Sequence, residues 1–129
     1  MVLLHKEITE KIIKAFYKVY NTLGYGFLEK VYENAMAIEI RQMGLEVKCQ
    51  YPITVYYESK IVGEYFADLI VNDIVVIELK ASNSLLEEHE YQLINYLKAT
   101  KIELGLLMNF GKNAEYKRKV FMNKFKKNN

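Results

Sequence analysis

Two apolar runs flank Asn72-Asp73: residues 61–71 (IVGEYFADLIV) and residues 74–80 (IVVIELK). An acid interrupts the apolar stretch on each side of the turn, Asp68 among Phe66, Leu69, Ile70 and Val71, and Glu78 after Val75, Val76 and Ile77. Asn-Asp between β-branched runs is a hairpin signal, so the runs are expected to pair antiparallel. The register of that pairing decides where the acids point. A strict two-residue loop pairs 71 with 74 and therefore 68 with 77, sending the two carboxylates to opposite faces. A three-residue loop, or one bulge, pairs 71 with 75 and 68 with 78. The carboxylates then stand side by side, about 5 Å apart at Cβ. The second arrangement is the expected one. Lys80 lies two residues beyond Glu78 and so shares its face.

Burying two neighbouring carboxylates in such apolar strands is costly, because they repel and each loses hydration. A hard divalent cation such as Mg²⁺ resolves both problems, since it takes carboxylate oxygens and keeps several waters. A water made more acidic by the metal can act as a nucleophile, and Lys80 can orient it or balance charge developing on a phosphate. The structural alternative is that Lys80 is salt-bridged to Glu78 at a sheet edge and that Asp68 caps the turn.

The rest of the chain supplies layers for this hairpin. Ile8, Ile12, Phe16, Val19 and Tyr20 recur at helical spacing over residues 6–21. The stretch 21–26 (NTLGYG) breaks that helix. A second is predicted from about Phe27 to Met43, with Leu28, Val31, Ala35 and Ile38 as its apolar stripe and Gly44 as its stop. Residues 46–57 (EVKCQYPITVYY) read as a strand, turned by Glu58-Ser-Lys60 into the hairpin. Ser84-Leu-Leu-Glu87 matches a capping box opening a third helix to about Ala99, with Leu86, Leu93 and Leu97 facing inward. Residues 102–109 (IELGLLMN) read as a buried strand and 116–122 (YKRKVFM) as a weaker last one. The order is α-α-β-β-β-α-β-(β), an α/β fold. A strand reached through a helical crossover lies parallel to its neighbour, so the sheet is expected to be mixed: an antiparallel meander plus a parallel strand.

The chain of 129 residues fits one domain spanning 1–129, and 51% hydrophobic residues allow a real core. One cysteine, Cys49, and two histidines, His5 and His89, argue against a disulfide, a zinc cage or a Cys/His nucleophile, and agree with a cytoplasmic setting. The N-terminal apolar residues are followed at once by charges, which fits neither a leader peptide nor a membrane span. Net charge is only +2, but from Lys112 onward there are seven basic residues against one acid, Glu115. Such a basic end can attract phosphate backbones, or it can be a solvated tail. No phosphate-cradling glycine loop and no dinucleotide fingerprint is present.

With Asp68 followed by Glu78-Leu79-Lys80, the chain resembles the PD-(D/E)XK nuclease superfamily, although Ala67 stands where the usual proline would precede the aspartate. The order of elements is similar to that superfamily's restriction-endonuclease-like core. Gly26-Phe-Leu-Glu29-Lys-Val-Tyr32 resembles the motif naming the GxxExxY protein family, a predicted branch. The likeness extends through Glu33, Asn34, Gly63, Gln92, Tyr96-Leu97 and Asn109-Phe110-Gly111. It implies Asp68 and Glu78 as metal ligands for Mg²⁺ or Mn²⁺ and Lys80 as the catalytic lysine. It also implies a further acid from the helix bearing Glu29 and Glu33, and Gln92 at the active site. The structural alternatives are a solvated helix face for Glu29 and Glu33 and a sheet-edge bond for Gln92.

The expected function is therefore a Mg²⁺-dependent nuclease acting on DNA or RNA, with no membrane partner. A homodimer would bring two such sites to two strands. The alternative is an inactive nuclease-fold module that binds nucleic acid or a protein through its basic end or tyrosine-rich sheet.

Overall fold

The computed structural model describes residues 4–127. In chain order it contains α1 (Lys6–Leu23), α2 (Glu29–Gln42), β1 (Val47–Tyr57), β2 (Lys60–Val71), β3 (Val75–Lys80), α3 (Glu87–Lys98), β4 (Leu104–Phe110) and β5 (Ala114–Val120). A short 3₁₀ turn follows at Asn123–Phe125. The strands form one sheet in the order β1-β2-β3-β4-β5. All neighbours are antiparallel except β3 and β4, which α3 connects as a parallel crossover pair. This mixed sheet flanked by helices is the restriction-endonuclease-like arrangement expected from the order of elements.

The sheet has a core on each face. Ile12, Phe16, Tyr32 and Met36 of α1 and α2 pack on Ile77, Leu106 and Phe110. Leu93 and Leu97 of α3 pack on Ile53, Ile70, Val76 and Leu107 on the other face. Every residue of β4 is buried, as is all of β3 but Lys80. Covering both faces of a strand removes the usual need for polar alternation, which explains the continuous apolar runs there.

Two helix expectations need correction. The inward face of α2 is Tyr32, Glu33, Met36, Ala37 and Ile40, whereas Leu28 is 80% and Ile38 57% exposed. Both stripes fit a helical period, and the one carrying Tyr32 wins because its ring stacks on Phe110 with centroids 4.1 Å apart. Ser84 does not cap α3, which begins at Glu87 after Leu86. The Leu86 N–H instead donates to His89 Nδ1 at 3.1 Å, and the Leu86 side chain is exposed rather than inward.

The basic C-terminal stretch is largely built into the fold. Residues 114–120 form the edge strand β5. Lys117 and Lys119 both reach Glu90 of α3, and Arg118 donates to the Leu4 carbonyl. Lys126 donates to the carbonyls of Thr100 and Ile102. No helix among the described residues is long and apolar enough to cross a membrane.

Asn109, fully buried at the end of β4, ties this frame to the segment after β3. Its Oδ1 accepts from the Ser82 N–H at 3.0 Å and its Nδ2 donates to the Ser82 carbonyl at 2.9 Å. Gly111 completes the clamp, because a Cβ there would strike the Ser82 carbonyl oxygen. Backbone cannot swing aside as a side-chain tip can, so Gly111→Ala should destabilise by about 1–3 kcal/mol. A thermal melt should show this as a loss of several degrees, and an unchanged midpoint would mean that the clamp has slack.

Candidate active site

The hairpin register is the one that a three-residue loop requires: Val71 opposes Val75, Ile70 opposes Val76 and Leu69 opposes Ile77. Asn72 and Asp73 make the turn with φ of 51° and 59°, a left-handed conformation that Asn and Asp tolerate better than most residues. Backbone pairing of β2 with β3 stops at the Leu69–Ile77 rung. At the next rung the two acids take over. The Asp68 N–H donates to Glu78 Oε2 at 2.8 Å, and the Leu79 N–H donates to Asp68 Oδ2 at 2.8 Å. Beyond that point the strands fork, β2 staying with β1 and β3 with β4.

Both carboxyls are held uncomfortably. Glu78 is 3% exposed. Burial pushes its pKa up to about 8, with the Asp68 charge adding to the effect. Burial also raises Asp68, against the lowering effect of the Leu79 N–H. Among the described residues neither acid has an ion-pair partner. Lys80 is not salt-bridged to Glu78. Its Nζ donates to Gln92 Oε1 at 3.3 Å, and Gln92 Nε2 donates to the Tyr96 hydroxyl at 3.0 Å. Nor does Asp68 cap the turn.

The α2 acids divide. Glu33 is buried, takes Lys30 at 2.7 Å, and accepts from Gln50 Nε2 at 2.6 Å. The same Gln50 nitrogen lies 3.4 Å from Asp68 Oδ1. Glu29 is exposed, and it reaches the site only through its charge, which helps to raise Glu78. Tyr32 serves the frame instead. Its hydroxyl donates to the Gly24 carbonyl at 2.8 Å and accepts the Phe27 N–H at 3.2 Å. That fixes the loop leading into α2 and hence where Glu29 and Glu33 begin.

Gln50 is the residue that sequence reading missed. It sits within β1 at φ 51°, left-handed for a non-glycine residue, and the ladder skips its rung with Asp68. The kink switches faces: Val47 packs in the α1–α2 core, while Tyr51 and Ile53 pack in the α3 core. Unbroken alternation would have kept all three on one face. Local strain of this kind persists only where surrounding contacts over-determine it. Nothing in KCQYP signals a left-handed glutamine.

The donor set fits a divalent cation. Two adjacent carboxyls, Glu78 buried and Asp68 half-buried, with no cationic partner among the described residues, suit a hard metal that retains water. Among the described residues no group of three or more His, Cys, Asp or Glu side chains is placed to hold a metal ion, so the candidate ligands are these two carboxyls.

A family model for the PD-(D/E)XK nuclease superfamily matches residues 6–120. The crystal structure of SSO0001 matches with a TM-score of 0.57 at 20% identity, over 92% of this chain and 58% of that one. At that identity the likeness concerns the fold alone, and the chain spans little more than half the length of SSO0001. No curated protein matches.

Metal-free, the acid pair should make stability depend on pH. Folding moves Glu78 from its ordinary 4.5 to about 8, so the folded state holds a proton that the unfolded chain releases. The stabilisation is complete below 4.5 and is lost as pH rises toward and through about 8. Melts in EDTA should fall across that window by the order of a few kcal/mol, and Glu78→Gln should flatten the decline. An equally steep decline in Glu78→Gln would assign it to other groups.

Proposed function

The chain belongs to the PD-(D/E)XK nuclease superfamily, and from that premise we propose that it is a metal-dependent nuclease hydrolysing nucleic-acid phosphodiester bonds. We further place it in the GxxExxY branch, on Gly26, Glu29 and Tyr32. The observation that carries the proposal is the pair Asp68 and Glu78 at the rung where the ladder ends, with the Lys80 amine two residues on.

Asp68 and Glu78 would hold the metal, Mg²⁺ or Mn²⁺. Bound there, it supplies Lewis-acid charge for the phosphate and a more acidic water. Lys80, oriented by Gln92 and through it by Tyr96, is the group that steers the attacking water or balances charge on the phosphate. Glu33 and Gln50 form a second layer behind Asp68. Gln50 reaches both the Asp68 carboxyl and Glu33, and so orients a metal ligand.

Purified protein should cleave DNA or RNA with Mg²⁺ or Mn²⁺ and stop in EDTA. Asp68→Ala, Glu78→Gln and Lys80→Ala should each lower the rate by about a hundredfold or more. Calorimetry should show metal uptake that strengthens as pH approaches 8, the value to which Glu78 is raised. Undiminished cleavage in Glu78→Gln would remove it as a ligand. Absent metal uptake, with salt-sensitive nucleic-acid binding retained, would make the chain a binding module instead.

Gln50→Gly separates support from strain. Glycine adopts φ 51° freely, and that relief opposes the loss of the Gln50–Glu33 bond, so the variant should stay folded, with stability changed by about 1 kcal/mol or less. Cleavage should nevertheless fall several-fold, because Asp68 loses its amide partner. Wild-type cleavage in this variant would leave Gln50 only a backbone role.

A further inference from the structure

β2 has 12 residues and β3 only six, and the two pair over just three rungs. The outer half of the β1–β2 hairpin therefore overhangs the sheet with no strand beside it. α3 runs along this overhang, and between them lies a groove of about 630 Å³. Tyr65 lines it from the hairpin, and Tyr91, Gln92, Asn95 and Tyr96 line it from α3.

The groove is continuous with the candidate active site. Gln92 and Tyr96 line it, and Gln92 is the residue that holds Lys80. Its aromatic faces are open: Tyr65 is 49% and Tyr91 57% exposed. The Tyr65 ring lies 5.8 Å from Tyr96 and back over Gly63, where a Cβ would come within 3.2 Å of it. The two charges lining the groove, Glu88 and Lys98, oppose each other. A phosphate chain would want a run of cations, which the groove lacks. A neutral, flat, hydrogen-bonding group finds ring faces for its plane and the amides of Gln92 and Asn95 for its edge.

We propose that this groove seats an unpaired base of the strand whose phosphate lies at Asp68, Glu78 and Lys80, so that the substrate is single-stranded or locally unpaired nucleic acid. The inference rests on the reading of that site as a nuclease centre. A base in a duplex is paired and stacked on both sides, and it cannot enter between a hairpin and a helix without leaving its partner. Stacking on tyrosine tolerates any base, so the preference is for strandedness rather than sequence.

The test is fluorescence anisotropy of the full chain in EDTA, where no cleavage occurs, with a labelled short DNA strand and the same strand annealed to its complement. The single strand should bind about tenfold tighter than the duplex, and Tyr91→Ala should remove about that factor for the single strand only. Tyr91 is exposed on α3, so the variant should keep the wild-type circular dichroism and melting temperature. Tyr57→Ala, exposed on the hairpin outside the groove, should change nothing. Equal binding of strand and duplex, or no effect of Tyr91→Ala, overturns the proposal. So does a Tyr91-dependent self-association in sedimentation with strand binding intact, which would make the groove a contact between copies. Cleavage with Mg²⁺ is read separately. Tyr91-dependent strand binding without cleavage keeps the groove and removes the nuclease reading; cleavage indifferent to Tyr91 does the reverse.

Discussion

Asp68 and Glu78 replace a rung of backbone ladder with two side-chain bonds. One carboxylate accepts the other residue's own N–H, and the second accepts the N–H of Leu79. A sheet that splits must satisfy the donors along the split, since an unpaired buried N–H costs about 1–3 kcal/mol. Here the acids do so, and the same bonds aim both carboxyls into the fork. Satisfying the backbone and assembling the site are one event. The residual tension is electrostatic: two acids stand side by side, and the buried one, Glu78, is driven toward its neutral form.

The surrounding elements follow from that fork. β3 leaves β2 to run beside β4, where Lys80 sits opposite Asn109. Asn109 then grips the backbone just beyond Lys80 through Ser82. β2 stays with β1, and the left-handed Gln50 in β1 passes the hairpin from one core to the other. α2 brings Glu33 behind Asp68, and α3 brings Gln92 behind Lys80. Each candidate site side chain thus has a partner from a different element, which limits its freedom before any ligand arrives.

Much of this was legible in the linear chain. The β2–β3 register followed from one consideration, that a three-residue loop is the arrangement placing both acids together. The mixed sheet followed from a helix lying between two strand-like runs. The helix faces were less secure. α2 carries two apolar stripes one residue apart, and only the stacking of Tyr32 on Phe110 chose between them. The start of α3 was misplaced because Ser84-Leu-Leu-Glu87 fits a capping box, while the chain entering the helix is engaged elsewhere: the Leu85 N–H donates to Glu115 of β5.

By itself the sequence determined the elements, their order, the turn at Asn72-Asp73 and the three groups that share its far side, because these depend on local periodicity and on spacing along one chain. Tertiary structure alone decided that Gln50 stands left-handed beside Asp68, that Glu33 rather than Glu29 backs the site, and that α3 leaves a tyrosine-walled groove under the overhanging hairpin. Those outcomes depend on distances between residues far apart in sequence. The physical reason is that packing two cores against one twisted sheet sets such distances, and no local pattern encodes them.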